Sequence, residues 1–445
     1  MKKITFIYPA IGKKAGKKYI RTWKMEPLPI ATLAGLTPPA FQKEFFDDRI
    51  ELIDYDTNTN LVAITVETYT AKRAYSIAKR FRDRDIPVVM GGYHPSHLSE
   101  EALQFCDSVV AGNAEHIWST VLSDFENGKL KPLYKGTAGY NSGMPDHSIY
   151  QGKKYLNLGL VETGRGCQFD CSFCHITTYY EGKYYPRAIP DIINEIKISK
   201  KRYFFFVDDN LVSNRQFALE LFKELARLNI FWASQGALTV AKDEELLHWM
   251  KKSGCILLLI GFESLEAENL KQMNKSWNLR IGDLQKLVQT VHKAGIGIYA
   301  TFVFGFDFDT PETFRKTVEF AVENKFIYAA FNHLLPFPGT RLYDRLKKEN
   351  RLLKPKWWLD DSYKYGDVVF KPAAMSPEEL SRRCVDARNE FFKLSSIFSR
   401  GVSLFGRNTS LALMSIFLSS NLHLKEEVGG KLSLPLGANL DELPK

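Results

Sequence analysis

Six apolar runs of strand length recur at intervals of roughly 25 to 45 residues between residues 156 and 335, and few folds accommodate such a repeat. They cover 156–163, 203–207, 230–234, 256–260, 298–304 and 328–335, with helical spacing between them, for example at 215–228 and 281–293. Parallel strands need a crossover segment, usually a helix, so the repeat predicts a parallel sheet built from six strand–helix units. Eight such units close a barrel; six leave a partial (β/α)6 barrel with a broad lateral opening. In parallel barrels chemistry gathers at the carboxyl ends of the strands. Polar residues gather there in this chain: Asp208, Asp209 and Asn210 after the second run, Ser234 and Gln235 at the third, Glu263 and Ser264 after the fourth, residues 305–313 after the fifth, and His333 in the sixth. Taken alone, Asp208 and Asp209 read more readily as a helix cap or an exposed acidic turn.

The first run leads into VETGRGCQFDCSFCHI, residues 161–176, which holds Cys167, Cys171 and Cys174 in a C-x3-C-x2-C spacing. Three thiolates can hold three irons of a [4Fe–4S] cluster and leave the fourth iron open to a substrate or cofactor. A closed zinc site with His175 as fourth ligand is the alternative, and a packed thiol group a second. The remaining cysteines, Cys106, Cys255 and Cys384, are isolated. No disulfide framework is implied, which points to a reducing compartment.

Residues 1–135 also alternate strand-like runs (4–8, 44–47, 61–66, 87–90, 108–111) with helical spacing. The helical stretches are 30–41 and 71–84, the second carrying Ala71, Ala74, Tyr75, Ala78 and Phe81 on one face. The pattern predicts an α/β, doubly wound, Rossmann-like parallel sheet, which binds ligands beyond the carboxyl ends of its strands. Those ends carry Pro9, Thr65, Thr68, Gly91, Gly92, His94, Gly112, Asn113 and Glu115. Glycines there let a large planar ligand approach backbone, while Thr and Glu offer hydrogen bonds; glycines that merely end strands and a satisfied loop histidine account for the same residues. Residues 129–155 are rich in Gly, Pro, Lys and Tyr and read as linker, with 136–155 separating the first unit from the barrel at 156–345.

Residues 346–445 read as a mostly helical region. A helix at 375–391 opens on Ser376-Pro377-Glu378-Glu379. The stretch 409–424 has no Asp, Glu, Lys or Arg and reads as a buried helix or as a lid over a lipophilic substrate. The tail from Gly429 reads as an extended arm. Sixty basic against 51 acidic residues give a net charge of +9, which favours an anionic substrate, a nucleotide or an acidic lipid surface. Lys13-Lys14 and Lys17-Lys18 read as solvated loops, and without a nucleic-acid motif beside them no nucleic-acid partner is expected. The opening MKKITFIYPA has too short an apolar run for a signal peptide, and no apolar stretch reaches the length of a spanning helix. A cytoplasmic protein is expected, with peripheral membrane association as an option.

The cysteine spacing, with Gly164 and Gly166 before it and aromatic Phe173 ahead of the last cysteine, resembles the radical S-adenosylmethionine (SAM) enzymes. The resemblance implies that Cys167, Cys171 and Cys174 bind the cluster, that SAM chelates the open iron through its amino and carboxylate groups, and that Phe173 lies near the adenine. It also implies SAM contacts from FVDDN (Asp208, Asp209, Asn210), from Ser234, from GFES (Glu263, Ser264) and from the GFDFDTPET segment that starts at Gly305. GGYHPSHLSEEA, residues 91–102, followed by GNAEHIW, residues 112–118, resembles the cobalamin-binding domain that precedes the radical SAM domain in one large subgroup. That likeness implies cobalamin contacts at Pro9, Thr65, Thr68, Gly91, Gly92, His94, Gly112 and Glu115. Asn113 stands where the subgroup usually has an acidic residue, and the absence of D-x-H-x-x-G implies that no protein histidine, His94 included, binds cobalt.

Most enzymes of this subgroup methylate an unactivated carbon: one SAM yields a 5′-deoxyadenosyl radical that abstracts hydrogen, and a second methylates cob(I)alamin. Others close rings or oxidise, and a non-catalytic cobalamin or iron–sulfur sensor is a reading from a different class. Cleaving the SAM sulfonium needs an electron and exclusion of water. A flavodoxin or ferredoxin is the implied donor, and Phe204 to Phe206, Phe302, Phe304, Phe306 and Phe331 either line the barrel or form its core. A bulky, mostly apolar substrate, lipid or tetrapyrrole with an acidic end, suits the open barrel and the uncharged 409–424 stretch.

Overall fold

The first sheet has strands β1 (Lys3–Tyr8), β2 (Gln42–Asp47), β3 (Leu61–Thr65), β4 (Val88–Gly91), β5 (Ser108–Ala111) and β6 (Leu133–Lys135), in a computed structural model that describes residues 1–139, 143–405 and 411–442. Their order is β2-β1-β3-β4-β5-β6 and every pairing is parallel. The order turns back at β1, so a crevice opens at the carboxyl ends on either side of that point. β6 lies inside the stretch read as linker; with three residues it is too short to show a period, yet its pairing with β5 and the burial of Tyr134 make it the sheet's edge. The helix expected at 30–41 runs instead over Leu28–Leu36 and stops before Thr37, which precedes Pro38 and takes extended backbone because the proline ring disfavours helical geometry there. The helix Ala71–Arg82 buries Ala71, Ala74, Tyr75, Ala78 and Phe81.

The second sheet has the order β14-β13-β12-β11-β10-β7, again all parallel, and does not close. Its strands are β7 (Gly159–Val161), β10 (Tyr203–Phe206), β11 (Phe231–Gly236), β12 (Cys255–Glu263), β13 (Gly297–Phe304) and β14 (Tyr328–His333); β8 (Gly164–Gly166) and β9 (Tyr184–Pro186) form a small antiparallel ribbon beside the cysteines. Alternation along the strands separates two faces. Phe204, Phe206, Trp232, Phe302, Phe304 and Phe331 are buried against the helices, with Phe304 stacked 4.1 Å from Phe314 and Phe331 packed 5.6 Å from Phe391. Their neighbours Phe205, Gln235, Leu259, Tyr299 and Tyr328 remain partly exposed on the inner face. Of the phenylalanines proposed as lining, Phe205 is thus on the inner face, whereas Phe204, Phe206, Phe302, Phe304 and Phe331 are helix-side core.

The carboxyl-terminal region binds the two units together. Trp357, Trp358 and Tyr363 are buried in the same core as Ala74, Ala78 and Phe81 of the first unit. Ser376 caps the helix Pro377–Phe391 by accepting from Glu379 N, and that helix packs on β14. The tail differs from an extended arm: the helix Leu411–Lys431 runs through Gly429 and Gly430, after which β16 (Leu434–Pro435) pairs antiparallel with β15 (Lys364–Tyr365). Thr409 lies outside the described residues. In the described part of the 409–424 stretch, Phe417 and Asn421 are buried whereas Leu418 and Leu422 are 41% and 42% exposed, so this part has one packed face and one open face.

The linker is pinned by charge. His147 meets Glu195 at 3.0 Å and Glu26 at 3.8 Å, while Arg187 pairs with Glu195 and Lys201 with Glu26. Burial alone would lower the His147 pKa, but the two carboxylates outweigh it and hold the imidazolium up to about 9. A group raised in the folded state contributes stability that is fully present below its unfolded value and is lost as pH rises through the folded value. The melting temperature of the native protein is therefore expected to exceed that of His147→Asn near pH 6, with the gap closing toward pH 9.5; thermal scans across that range check it.

Candidate active site

The carboxyl ends of the two sheets face each other across a cleft of about 270 Å³. Thr65, Gly91, Gly92, Gly112, Asn113 and Glu115 line it from the first unit, and Glu162, Arg165, Tyr179, Tyr180 and Val207 from the second. Gly92 and Gly112 have φ of +105° and +93°, and a Cβ at either would lie 2.7 Å from a carbonyl oxygen of Val66 or Gly136, so only glycine lets the chain turn at this rim. Arg165, in β8, reaches Glu115 at 2.6 Å and Glu162 at 2.7 Å, a low-exposure ion triad that spans the cleft. Asn113 Oδ1 accepts from the hydroxyls of Tyr179 at 3.1 Å and Tyr180 at 3.4 Å, while its Nδ2 is buried without a partner among the described residues.

The cysteine loop is organised from beneath by the residues after β10. Asp208 is fully buried: Thr163 N donates to its Oδ1 at 2.7 Å and the Thr163 hydroxyl to its Oδ2, and burial pushes its pKa up to about 8. Asp209 accepts from Gly166 N at 2.7 Å, and burial pushes it up to about 6. Asn210 donates through Nδ2 to Cys167 Sγ at 3.5 Å, and its Oδ1 is buried with no partner among the described residues. Both carboxylates thus engage the loop's own backbone. Cys167, Cys171 and Cys174 are partly exposed, and burial pushes the Cys171 thiol up to about 12 against the field of Lys275, with Cys174 and Cys167 adding to the rise. No group of three or more His, Cys, Asp or Glu among the described residues converges on a single-ion site. The zinc alternative also loses its fourth ligand, since His175 Nε2 lies 3.0 Å from Pro338 O and its ring stacks 5.0 Å from His97.

Phe173 meets Phe306 edge-on at 6.2 Å, which joins the loop to the segment after β13. That segment turns at Gly305, φ +108°, whose N–H donates to Asp309 Oδ2 at 2.6 Å, as does Phe306 N at 3.1 Å. Glu263 has φ +63°, unusual for a side chain with a Cβ, and pairs with Lys275 at 2.9 Å. Ser264 Oγ accepts from Glu266 N at 3.1 Å.

Four of the expected contacts fall elsewhere. Ser234 is on the helix side of β11 and donates to Phe206 O at 2.8 Å; period-two alternation turns Gln235 inward instead. His94 is 1% exposed and does not line the cleft: its Nε2 lies 3.0 Å from Tyr75 OH and 3.3 Å from Glu101, its Nδ1 3.4 Å from Thr68 Oγ1. Thr68 is buried with it. Pro9 is buried beside the carboxyl-terminal segment, where Gly437 N donates to Ile11 O at 2.7 Å and Lys13 N to Ala438 O at 3.2 Å. Arg165, Tyr179 and Tyr180 were not singled out from the sequence; a lone arginine between Gly164 and Gly166 was the available signal.

A doubly wound sheet facing an open six-stranded barrel, with a three-cysteine loop at their junction, defines a radical SAM enzyme with an added ligand-binding unit. The radical SAM superfamily model matches residues 161–321. Bacteriochlorophyllide d C-12(1)-methyltransferase of Chlorobaculum tepidum is 32% identical over 389 residues, covering 84% of this chain and 84% of that protein. Bacteriochlorophyllide d C-8(2)-methyltransferase of the same organism is 29% identical over 398 residues, covering 83% and 86%. Among solved structures, the radical SAM methyltransferase TsrM from Kitasatospora setae, with cobalamin and a [4Fe–4S] cluster bound, has the same fold: TM-score 0.68 over 96% of this chain and 98% of that one, at 15% identity. The chain belongs to the cobalamin-binding radical SAM enzyme family.

Removing the arginine of the ion triad deletes the cation that pairs with both Glu115 and Glu162. Arg165→Ala is expected to cost about 3 to 5 kcal/mol, the range for breaking a buried pair by deleting one partner. Urea unfolding of the variant beside Glu115→Gln, which keeps the arginine paired with Glu162 and is expected to cost less, checks the assignment.

Proposed function

We propose that this protein is a cobalamin-dependent radical SAM methyltransferase that acts on an unactivated carbon of a bulky, mostly apolar substrate. The observation that carries the reading is the cleft itself, where the glycine edge of the first sheet meets the cysteine loop of the second. The donor set fits the groups this chemistry needs. Three thiols on one loop suit three irons of a cluster, and Asn113 Nδ2 is an orphaned donor beside a glycine rim, open to the amide oxygens at the edge of a corrin. When bound, the cluster and SAM supply a hydrogen-abstracting radical, and cobalamin supplies the methyl group.

In this reading Cys167, Cys171 and Cys174 hold the cluster, and Asp208 and Asp209 brace the loop that carries them. Phe173, Glu263, Ser264 and the Gly305–Phe306 turn border SAM; Thr65, Gly91, Gly92, Gly112 and Glu115 border the corrin. Tyr179 and Tyr180 wall the junction, and the stacked rings of His97 and His175 pack behind Tyr179, which helps to keep water from a reactive radical. The electron comes from a low-potential donor such as a flavodoxin or ferredoxin. No helix among the described residues is long and apolar enough to cross a membrane. Leu394, Phe398 and Val402, spaced four apart on one helix and 61%, 72% and 50% exposed, support peripheral contact with a lipid surface.

Replacing Cys167, Cys171 and Cys174 together by Ala is expected to abolish cluster iron, sulfide and 5′-deoxyadenosine formation in anaerobically reconstituted protein; near-normal iron and sulfide would refute the cluster assignment. Because the His94 ring is held by Tyr75, Thr68 and Glu101, any nitrogen superhyperfine splitting in the paramagnetic resonance spectrum of the cob(II)alamin form is expected to be unchanged when the protein's histidines carry nitrogen-15. Retention of cobalamin through desalting, with S-adenosylhomocysteine formed on incubation with SAM and reductant, tests the methyltransferase reading as a whole.

A further inference from the structure

At the last strand of the barrel, Tyr299 of β13 and Tyr328 of β14 sit opposite each other on the inner face, their rings 5.7 Å apart and edge-on, and the Tyr328 hydroxyl meets Ser420 of the helix Leu411–Lys431 at 2.6 Å. Four residues further along β14, on the same face, is Asn332, exposed, whose Oδ1 accepts from Arg388 Nη2 at 3.0 Å. Arg388 belongs to the helix Pro377–Phe391, which packs against β14 and carries the guanidinium over the strand's edge. Among the described residues Arg388 has no carboxylate within ion-pair distance, so its only side-chain partner there is a neutral amide.

Aromatic rings converge on the same place from the other elements. Tyr365 of β15 lies 5.4 Å from Trp23 and 5.3 Å from Tyr69. Burial raises the pKa of Tyr299 and Tyr365, and in each the charge of Arg388 acts in the opposite sense, so the guanidinium faces both rings. The hydroxyls of Tyr299 and Tyr365 find no hydrogen-bond partner among the described residues and are not sealed from solvent. An unneutralised guanidinium matches the planar fork of a carboxylate. Partly exposed aromatic faces and edges around it favour a flat, extended ring over a flexible chain. The scale agrees: the cysteine loop follows β7 at one edge of the sheet and Arg388 reaches Asn332 of β14 at the other, five strand spacings or at most roughly 24 Å along the sheet at about 4.8 Å each. A substrate held at both sites has its acid far from its reacting carbon.

We infer that Arg388 is a substrate-binding residue that anchors the carboxylate of a planar, tetrapyrrole-type substrate. The inference rests on the methyltransferase reading above and names its substrate class and the residue that selects it.

The test uses bacteriochlorophyllide d as the free acid and as its methyl ester, titrated by absorbance into the full-length, cluster- and cobalamin-loaded protein. The acid is expected to bind the native protein about tenfold or more tightly than the ester, which is about 1.4 kcal/mol. Arg388→Ala is expected to bind both equally and weakly, and Arg388→Lys to retain part of the difference. Asn332→Asp, which sets a carboxylate beside the guanidinium without touching the helix, is expected to erase the discrimination as well, and it serves as the independent variant should Arg388→Ala fold poorly. Equal binding of acid and ester by the native protein, discrimination that survives in Arg388→Ala, or no binding of either probe would overturn the inference. Formation of 5′-deoxyadenosine by the native protein is read in parallel. Normal cleavage of SAM with no discrimination removes the anchor and leaves the methyltransferase reading standing, whereas failure of fully loaded protein to cleave SAM removes that reading while the acid–ester comparison stands on its own.

Discussion

The buried clamp of Asp208 on Thr163 is the contact on which the catalytic end depends. Thr163 ends the segment that leaves β7 for the cysteines, and Asp208 follows β10, the neighbouring strand; the two hydrogen bonds between them fix how the loop departs from the sheet. Asp209 repeats the device one step further along by holding Gly166 N, and Asn210 reaches Cys167 itself. Such a clamp is costly to bury, because no cation lies beside Asp208 and desolvation drives its pKa up. The cost is tolerable where both acceptor oxygens are satisfied, and it makes the loop's departure stiff. A loop that must hold three thiols at a set separation gains from that stiffness, since a ligand set left loose would close on itself or on the wrong ion.

A second dependence joins the two units. Separate sheets would each leave a polar, glycine-lined carboxyl edge open to water, and a reactive radical at such an edge would be quenched. Here the edges are held face to face by contacts far from the cleft. Trp357, Trp358 and Tyr363 are packed into the first unit's core, and Trp358 Nε1 donates to Glu101 Oε1 at 2.8 Å. The antiparallel pairing of β15 with β16 and the hydrogen bonds of residues 437 and 438 to residues 11 and 13 return the chain's end to its beginning. Apolar burial supplies most of the holding energy there, at about 25 cal/mol for each Å² removed from water. The ion triad of Arg165 is placed at the cleft, where its directional contacts set the separation of the units.

Much of this was legible in the sequence because it is written in local periods. The repeat of strand and helix announces two parallel sheets, the cysteine spacing announces the loop, and the 71–82 helix shows its buried face residue by residue. What escaped depends on geometry that no local period records. His94 and Thr68 sit next to the glycine rim in sequence, yet they turn to the opposite side of the sheet, because Tyr75 and Glu101 from later elements complete a buried hydrogen-bond cluster there. Ser234 and Gln235 are adjacent polar residues at one strand end; which of them faces inward is decided by register against β10 and β12, and the pairing of Ser234 with Phe206 and Leu258 assigns it to the helix side. The shortness of β6 and the entry of Trp357 and Trp358 into a core some 280 residues earlier in the chain are likewise long-range outcomes.

The distribution of charge shows what the open barrel is suited to hold. A net charge of +9 says little by itself, since many of the exposed ions are paired with one another. At the cleft the acids are spent: Glu115 and Glu162 on Arg165, Glu263 on Lys275, and Asp208 and Asp209 on backbone and hydroxyl donors. These carboxylates are therefore engaged by the protein's own donors and cations rather than offered to a ligand. Across the inner face the balance differs, because among the described residues Arg388 meets the amide of Asn332, tyrosine rings and His333 but no carboxylate within ion-pair distance. A reacting end whose acids are already engaged and a cationic far end, separated by the width of an unclosed sheet, sort substrates by length and by the sign of one terminal charge. Closing the barrel with two more strands would cover the edge from which Arg388 reaches in, so the incompleteness of the barrel and the selectivity of the chamber are one structural property.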